Sequence, residues 1–224
     1  MMAAPAPLIS KHGGYRRLKS FQIAQLLYDV TVRFCGRYVD PRSRTHDQMV
    51  QAARSGVQNV AEGSQASGTS RKMEMKLTNV ARASLEELRL DYEDFLRQRG
   101  LAPWPPDRPA LKRFRALRCS KLEEVSAWVS QERLLLKAEP EHGRARTATD
   151  GQACGALSLP VRDSPCSSPC PSSSEFVANA ALSLLNLCCH LLDRQLAAQA
   201  SAFEKEGGFT ERLYRRRQDT RRLK

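Results

Sequence analysis

Apolar side chains recur along this chain at intervals of three and four residues, the spacing of helices with one buried face. Ile23, Leu26, Leu27, Val30, Phe34 and Tyr38 mark a first helix over residues 16–38. Asp40-Pro41 ends it, because the residue before a proline avoids the helical region. A second helix opens at Thr45-His46-Asp47-Gln48, a capping-box pattern with Thr45 at N-cap and Gln48 at N3, and runs to Glu62. Its inner side reads Met49, Ala52, Ala53, Gly56, Val60 and Gly63. Glycine in a helix interior costs about 1 kcal/mol relative to alanine. Two glycines on one packing face therefore indicate close approach of a neighbouring helix backbone. Ser55, Asn59 and Glu62 form a polar row beside this seam, and residues 63–69 read as a turn.

A third helix covers residues 70–98, with Met73, Leu77, Val80, Ala81, Leu85, Leu88, Tyr92 and Phe95 as its stripe and Gly100 as its stop. Ser84 and Asp91 lie inside that stripe, so Asp91 is a candidate buried carboxylate in need of a donor. Pro103-Trp104-Pro105-Pro106 is a stiff connector. A weaker helical patch follows over residues 108–137, with Ser120-Lys121-Leu122-Glu123 as an internal capping pattern. Residues 138–174 are rich in Pro, Ser, Gly and Ala, the composition of a flexible insert.

Order resumes at the capping pattern Ser172-Ser173-Ser174-Glu175. The helix over residues 175–206 places Val177, Ala180, Ala181, Leu184, Leu187, Cys188, Leu191, Leu192, Ala198 and Ala202 on one side. Asn179, Asn186, Asp193 and Glu204 fall on the other, and Gly207-Gly208 ends the helix. The last segment reads as a short basic helix. No strand and no internal repeat is evident. Four strong amphipathic helices, mostly joined by short turns, predict an all-α fold built on an antiparallel up-down four-helix bundle. The parts are a disordered N-terminus (1–14), three bundle helices (15–100), a connector with an extra helix (101–137), the insert (138–174), the fourth bundle helix (175–208) and a basic C-terminal suffix (209–224).

Composition agrees with this picture. Aromatic residues are only 6% of the 224, which suits helix packing by Leu, Ala and Val. The start MMAAPAPLIS lacks the basic and apolar regions of a signal peptide. Residues 176–192 carry no charge, but the stretch is short for a bilayer and is interrupted by Asn179, Ser183, Asn186 and His190. A cytoplasmic protein with no membrane partner is expected. Seven cysteines, an odd number, argue against a disulfide framework. Cys188 falls on an apolar stripe, and Cys166 and Cys170 lack the four clustered ligands of a structural zinc site.

Charge is what suggests a partner. Of the net +12, residues 1–44 carry +6 and residues 209–224 carry +5, leaving a nearly neutral middle. Basic ends on a neutral body are what a polyanion-binding protein offers, although such ends also serve solubility alone. Arg71 and Lys72 sit at a helix N-terminus, where backbone amides also favour anions, and Lys76 is one turn on. Arg212, Arg215, Arg216 and Arg217, interleaved with Phe209 and Tyr214, suit phosphate gripping and base stacking. These seven cations are the candidate nucleic-acid contacts. Ser55, Asn59, Glu62, Ser84 and Asp91 are read as a structural polar core that fixes helix register.

Enzyme motifs are absent: no phosphate-binding loop, no dinucleotide fingerprint, no HExxH and no GxSxG. Cys189 and His190 are adjacent on a helix and point apart. Glu62 and Asp91 could meet in a bundle, but a di-iron site needs Glu-x-x-His on two helices, and neither is present. A non-enzymatic protein without metal or cofactor is expected.

Gln48, Ala52, Ala53, Ser55, Asn59, Ala61, Glu62 and Gly63, followed by Ala83, Ser84, Leu85, Glu87 and Leu88, resemble the four-helix-bundle family of 23S rRNA intervening-sequence proteins. LLDRQL (191–196) and GGFTERLY (207–214) resemble its suffix-domain subgroup. The resemblance spans residues 15–100 and 175–215. It implies a helical bundle that assembles as a homopentamer. The family includes the accessory variability protein of diversity-generating retroelements, which implies RNA or DNA and a reverse transcriptase as candidate partners. The function expected is a self-assembling protein that binds nucleic acid, RNA foremost. The alternative is a protein-interaction scaffold without nucleic acid, such as a retroelement accessory subunit.

Overall fold

A computed structural model describes Ile9, residues 12–138 and residues 171–222. Ordered structure there is entirely helical, with no strand among the described residues. A single 3-10 turn (Tyr15–Arg17) leads into α1 (Lys19–Tyr38), α2 (Arg44–Ala66) and α3 (Arg71–Arg97). Two short helices follow, α4 (Pro109–Leu117) and α5 (Leu122–Ala138), then the long α6 (Ser173–Glu206) and the basic α7 (Phe209–Arg222). α2 packs on α1 and α3, and α6 packs on α1 and α3, so these four share one core. α4 and α5 lie against α6, with α5 also touching α1.

The core follows from the helical spacing. Phe34 of α1 meets Tyr92 and Phe95 of α3 at ring-centroid distances of 4.9 and 4.6 Å. The Tyr92 hydroxyl and Thr31 Oγ1, 3.1 Å apart, satisfy each other inside it. The two seam glycines of α2 are both buried, for different reasons. At Gly63 a β-carbon would stand 3.2 Å from the Glu74 carbonyl oxygen, so here the α3 backbone itself comes close. At Gly56 it would stand 2.6 Å from Cδ2 of Leu85, so the neighbour is a side chain, not backbone.

Several boundaries and faces differ from the sequence reading. α2 begins at Arg44 with Ser43 as N-cap, its Oγ accepting from the Thr45 N–H, and it continues through Gly63 to Ala66. On α3, Met73 and Val80 are exposed while Thr78 is buried. Thr78 can take a core position because its hydroxyl donates to the Glu74 carbonyl and accepts from Gln199. The 108–137 patch is two helices, broken at Arg118, and the cap of α5 uses Glu124, not Glu123. Glu124 Oε2 accepts from the Ser120 and Lys121 N–H groups. α6 starts at Ser173, inside the range assigned to the insert, with Ser172 Oγ accepting from the Glu175 N–H. Residues 139–170 of that range lie outside the described residues, as do residues 1–8, 10 and 11. Gly13, within the stretch expected to be disordered, donates its N–H to the Ser64 carbonyl at 3.1 Å.

On α6 two side chains exchange roles. Leu187 is 45% exposed, and Asn179 is buried. Asn179 accepts the Trp104 backbone N–H at 2.7 Å and donates to the Glu175 carbonyl, which fastens the proline-rich connector to α6. Ser173–Arg222 contains a window long and apolar enough to cross a membrane, but 67% of that window is buried inside the protein.

Candidate nucleic-acid interface

At one end of the helical body, the start of α1 lies against the ends of α2 and α6, and the start of α3 lies against the end of α6. Four contacts tie them together. Gly13 bonds Ser64 near the end of α2. The His12 ring stands where a β-carbon on Gly68 would go. Ser20 Oγ donates to Gln195 of α6 at 2.9 Å. Arg71 of α3 donates to the Ala202 carbonyl at 2.8 Å and to Glu206 Oε2 at 2.5 Å. α7 departs from this same end, two residues after Glu206. Arg16, Arg17 and Lys19 therefore share an end with Lys72, Lys76 and the first arginine of α7. The three N-terminal cations were visible in the sequence only as regional charge.

The seven predicted cations divide by role. Arg71 is committed to the fold: its side chain is 17% exposed and fastens the start of α3 to the end of α6. Its hydrogen bond, then its charge, with a smaller contribution from Arg212, hold the Glu206 carboxyl below the usual carboxylate range. Lys72 and Lys76 are exposed. Arg212 is half-buried, and its Nε and Nη2 have no hydrogen-bond partner among the described residues. Arg215 and Arg217 are exposed, and Arg216 is half-buried. Arg216, Arg217 and Arg221 line one shallow hollow of α7.

The expected polar row separates into three parts. Ser55 and Ser84 place their hydroxyls 3.0 Å apart across the α2–α3 contact. Asn59 Nδ2 donates to both the Ser55 hydroxyl and the Ser55 carbonyl. Glu62 is exposed and stands outside this group. Asp91 is half-buried, with Oδ2 sequestered and unpartnered.

Burial, then the charges of Glu87 and Asp94, push the Asp91 carboxyl up to about 6. The folded protein thus holds a proton there that the unfolded chain releases at lower pH, so stability contributed at this position falls as pH rises from about 4 to 6. Asp91→Asn is expected to flatten that part of the stability profile and to raise the denaturation midpoint at pH 7. Urea unfolding at pH 4.5 and 7 measures it.

Among the described residues, no three His, Cys, Asp or Glu side chains are grouped to hold a metal ion. Cys35, Cys119, Cys188 and Cys189 are buried. Desolvation pushes Cys35 up to about 12 and Cys189 up to about 11, so both thiols stay protonated at neutral pH and are weak nucleophiles. Cys154, Cys166 and Cys170 lie outside the described residues. Set against known proteins, the chain matches no family model, no curated protein and no solved structure.

Proposed function

We propose that α1, α2, α3 and α6 form an antiparallel up-down four-helix bundle that self-assembles and binds nucleic acid, RNA foremost, without catalysing a reaction. The supporting observation is a shared location: Arg16, Arg17, Lys19, Lys72, Lys76 and Arg212, the first arginine of α7, belong to helix ends tied together at one end of the helical body. Arg16, Arg17, Lys19, Lys72, Lys76, Arg212, Arg215, Arg216 and Arg217 offer contacts to a phosphate backbone. Arg71 acts beneath them as a fastener. The sequence resemblance to intervening-sequence proteins agrees with this reading and suggests a homopentamer, and the composition suggests a cytoplasmic one.

A salt series tests it. Binding of a structured RNA and of duplex DNA is expected at 50 mM salt, with log affinity falling linearly against log salt. Six phosphate contacts correspond to a loss of about a thousandfold between 50 and 200 mM. Lys72→Glu with Lys76→Glu, or Arg215→Glu with Arg217→Glu, is expected to weaken both nucleic acids and shallow the slope. Absence of binding at low salt, or binding indifferent to salt, overturns the reading. Light scattering tests assembly: a mass of one 25.1 kDa chain removes that part.

The second reading is a protein scaffold, for instance a retroelement accessory subunit that meets a reverse transcriptase. It is favoured by Met73, Val80 and Leu90, large apolar side chains exposed along α3. Salt-independent self-association with no nucleic-acid affinity selects it.

A further inference from the structure

Between α1, α4 and α6 lies a groove of about 710 Å³ that shares no lining residue with the polar row or with α7. Ile23, Phe114, Leu184 and Leu191 form its floor, and Leu187 stands 45% exposed within it. Lys19, Arg115 and Arg118 are its charged side chains, and no carboxylate lines it among the described residues. The volume falls in the range of small-molecule sites, which are mostly apolar with a few placed polar groups.

Two details hold the cations at the mouth. Arg115 is steadied by donating to the Pro106 carbonyl at 2.7 Å. Arg118 occupies the left-handed cap of α4, φ 49°, the only non-glycine residue with positive φ among those described. Glycine is the usual residue there because a β-carbon strains that conformation. An arginine at this cap sets a guanidinium on the groove rim at the expense of local backbone comfort.

We propose that this groove binds a soluble single-chain amphiphile with an anionic head, such as a fatty carboxylate. The alkyl chain lies on the leucine floor, and the head is held by Arg115, Arg118 and Lys19. A polyphosphate finds no use for that floor, and a neutral lipid leaves three cations unmatched. The groove shares Lys19 with the proposed nucleic-acid interface, but its apolar floor, Arg115 and Arg118 belong to the groove alone, so failure of the nucleic-acid reading leaves it standing.

Calorimetric titration of the full chain tests the proposal, with dodecanoate below its micelle concentration as probe. Saturable binding at one per chain is expected. Butanoate keeps the head without the tail, and dodecyltrimethylammonium keeps the tail with the opposite charge. Each is expected to bind at least about tenfold more weakly, as is dodecanoate to Leu187→Asp. Arg118→Gly is the decisive variant. Relief of the left-handed strain is expected to raise its melting temperature while its dodecanoate affinity falls severalfold, an outcome that misfolding cannot produce. Arg215→Glu with Arg217→Glu is expected to leave dodecanoate binding unchanged. The proposal is overturned by absent saturable binding, by equal binding of the cationic amphiphile, by wild-type affinity in Arg118→Gly, or by loss of binding in the α7 variant.

Discussion

Gly56→Leu is expected to lower the unfolding free energy by about 3 kcal/mol, the upper part of the usual range for overpacking a filled core. Leucine gains most of the helix propensity that glycine lacks, somewhat under 1 kcal/mol. That gain is overwhelmed by space: the first added carbon would already stand 2.6 Å from Cδ2 and 2.8 Å from Cγ of Leu85, itself fully buried. For a chain of this length the loss corresponds to roughly 10 °C in melting temperature. Gly56→Ala is expected to be milder, because a single carbon requires Leu85 to shift only from its Cγ outward, whereas leucine adds three more carbons into the same space. Leu85→Ala should recover part of the loss in the Gly56→Leu background, since the two positions are in contact and will not add. Thermal melts of Gly56→Leu, Gly56→Ala, Leu85→Ala and the Gly56→Leu, Leu85→Ala double variant measure this. An unchanged midpoint for Gly56→Leu would mean that the α2–α3 contact is not as described.

Trp104→Ala is expected to cost about 3–5 kcal/mol, the range for deleting a large buried aromatic. The Trp104 ring stands edge-on to Phe176 at 4.9 Å, and its Nε1 donates to Glu175 Oε1 at 2.7 Å. The Arg108 guanidinium lies 4.0 Å from the ring centroid. Removing the indole opens a void and leaves the buried Glu175 carboxylate without that donor. Trp104→Phe retains most of the packing and is expected to lose about 1–3 kcal/mol through the missing N–H. Hydrogen exchange gives the sharper readout. Residues 109–138 should lose protection before α1, α2 and α3, because Phe176 also contacts Trp128 of α5. Uniform loss across the chain would mean that the connector and α4–α5 do not open separately.

What the sequence made legible was governed by local spacing. Ser55, Asn59 and Ser84 could be placed together because a 3.6-residue repeat puts them on facing edges of two sequential helices. Glu62 occupies the same row yet lies in water, since a carboxylate at a rim keeps its hydration when geometry permits. Asn179 was misplaced because the group that draws it inward, the Trp104 N–H, is 75 residues away in sequence. Thr78 and Val80 exchanged expected places for a related reason: a threonine whose hydroxyl has two internal partners can be buried, and those partners include Gln199 of α6. The cations at the candidate interface were countable from sequence. Their convergence was not, because it depends on which helix ends share a pole, and neither was the diversion of Arg71 into a structural bond.

The concealed thiols also give the molecule an internal clock. Cys119, between α4 and α5, borders the groove, while Cys35 and Cys188 sit among the central helices. A thiol reagent reaches Cys35 or Cys188 only when the central helices part, and Cys119 with less opening, so the rates of modification report how often each region breathes. These native cysteines thus provide a residue-resolved gauge of motion without any label being introduced.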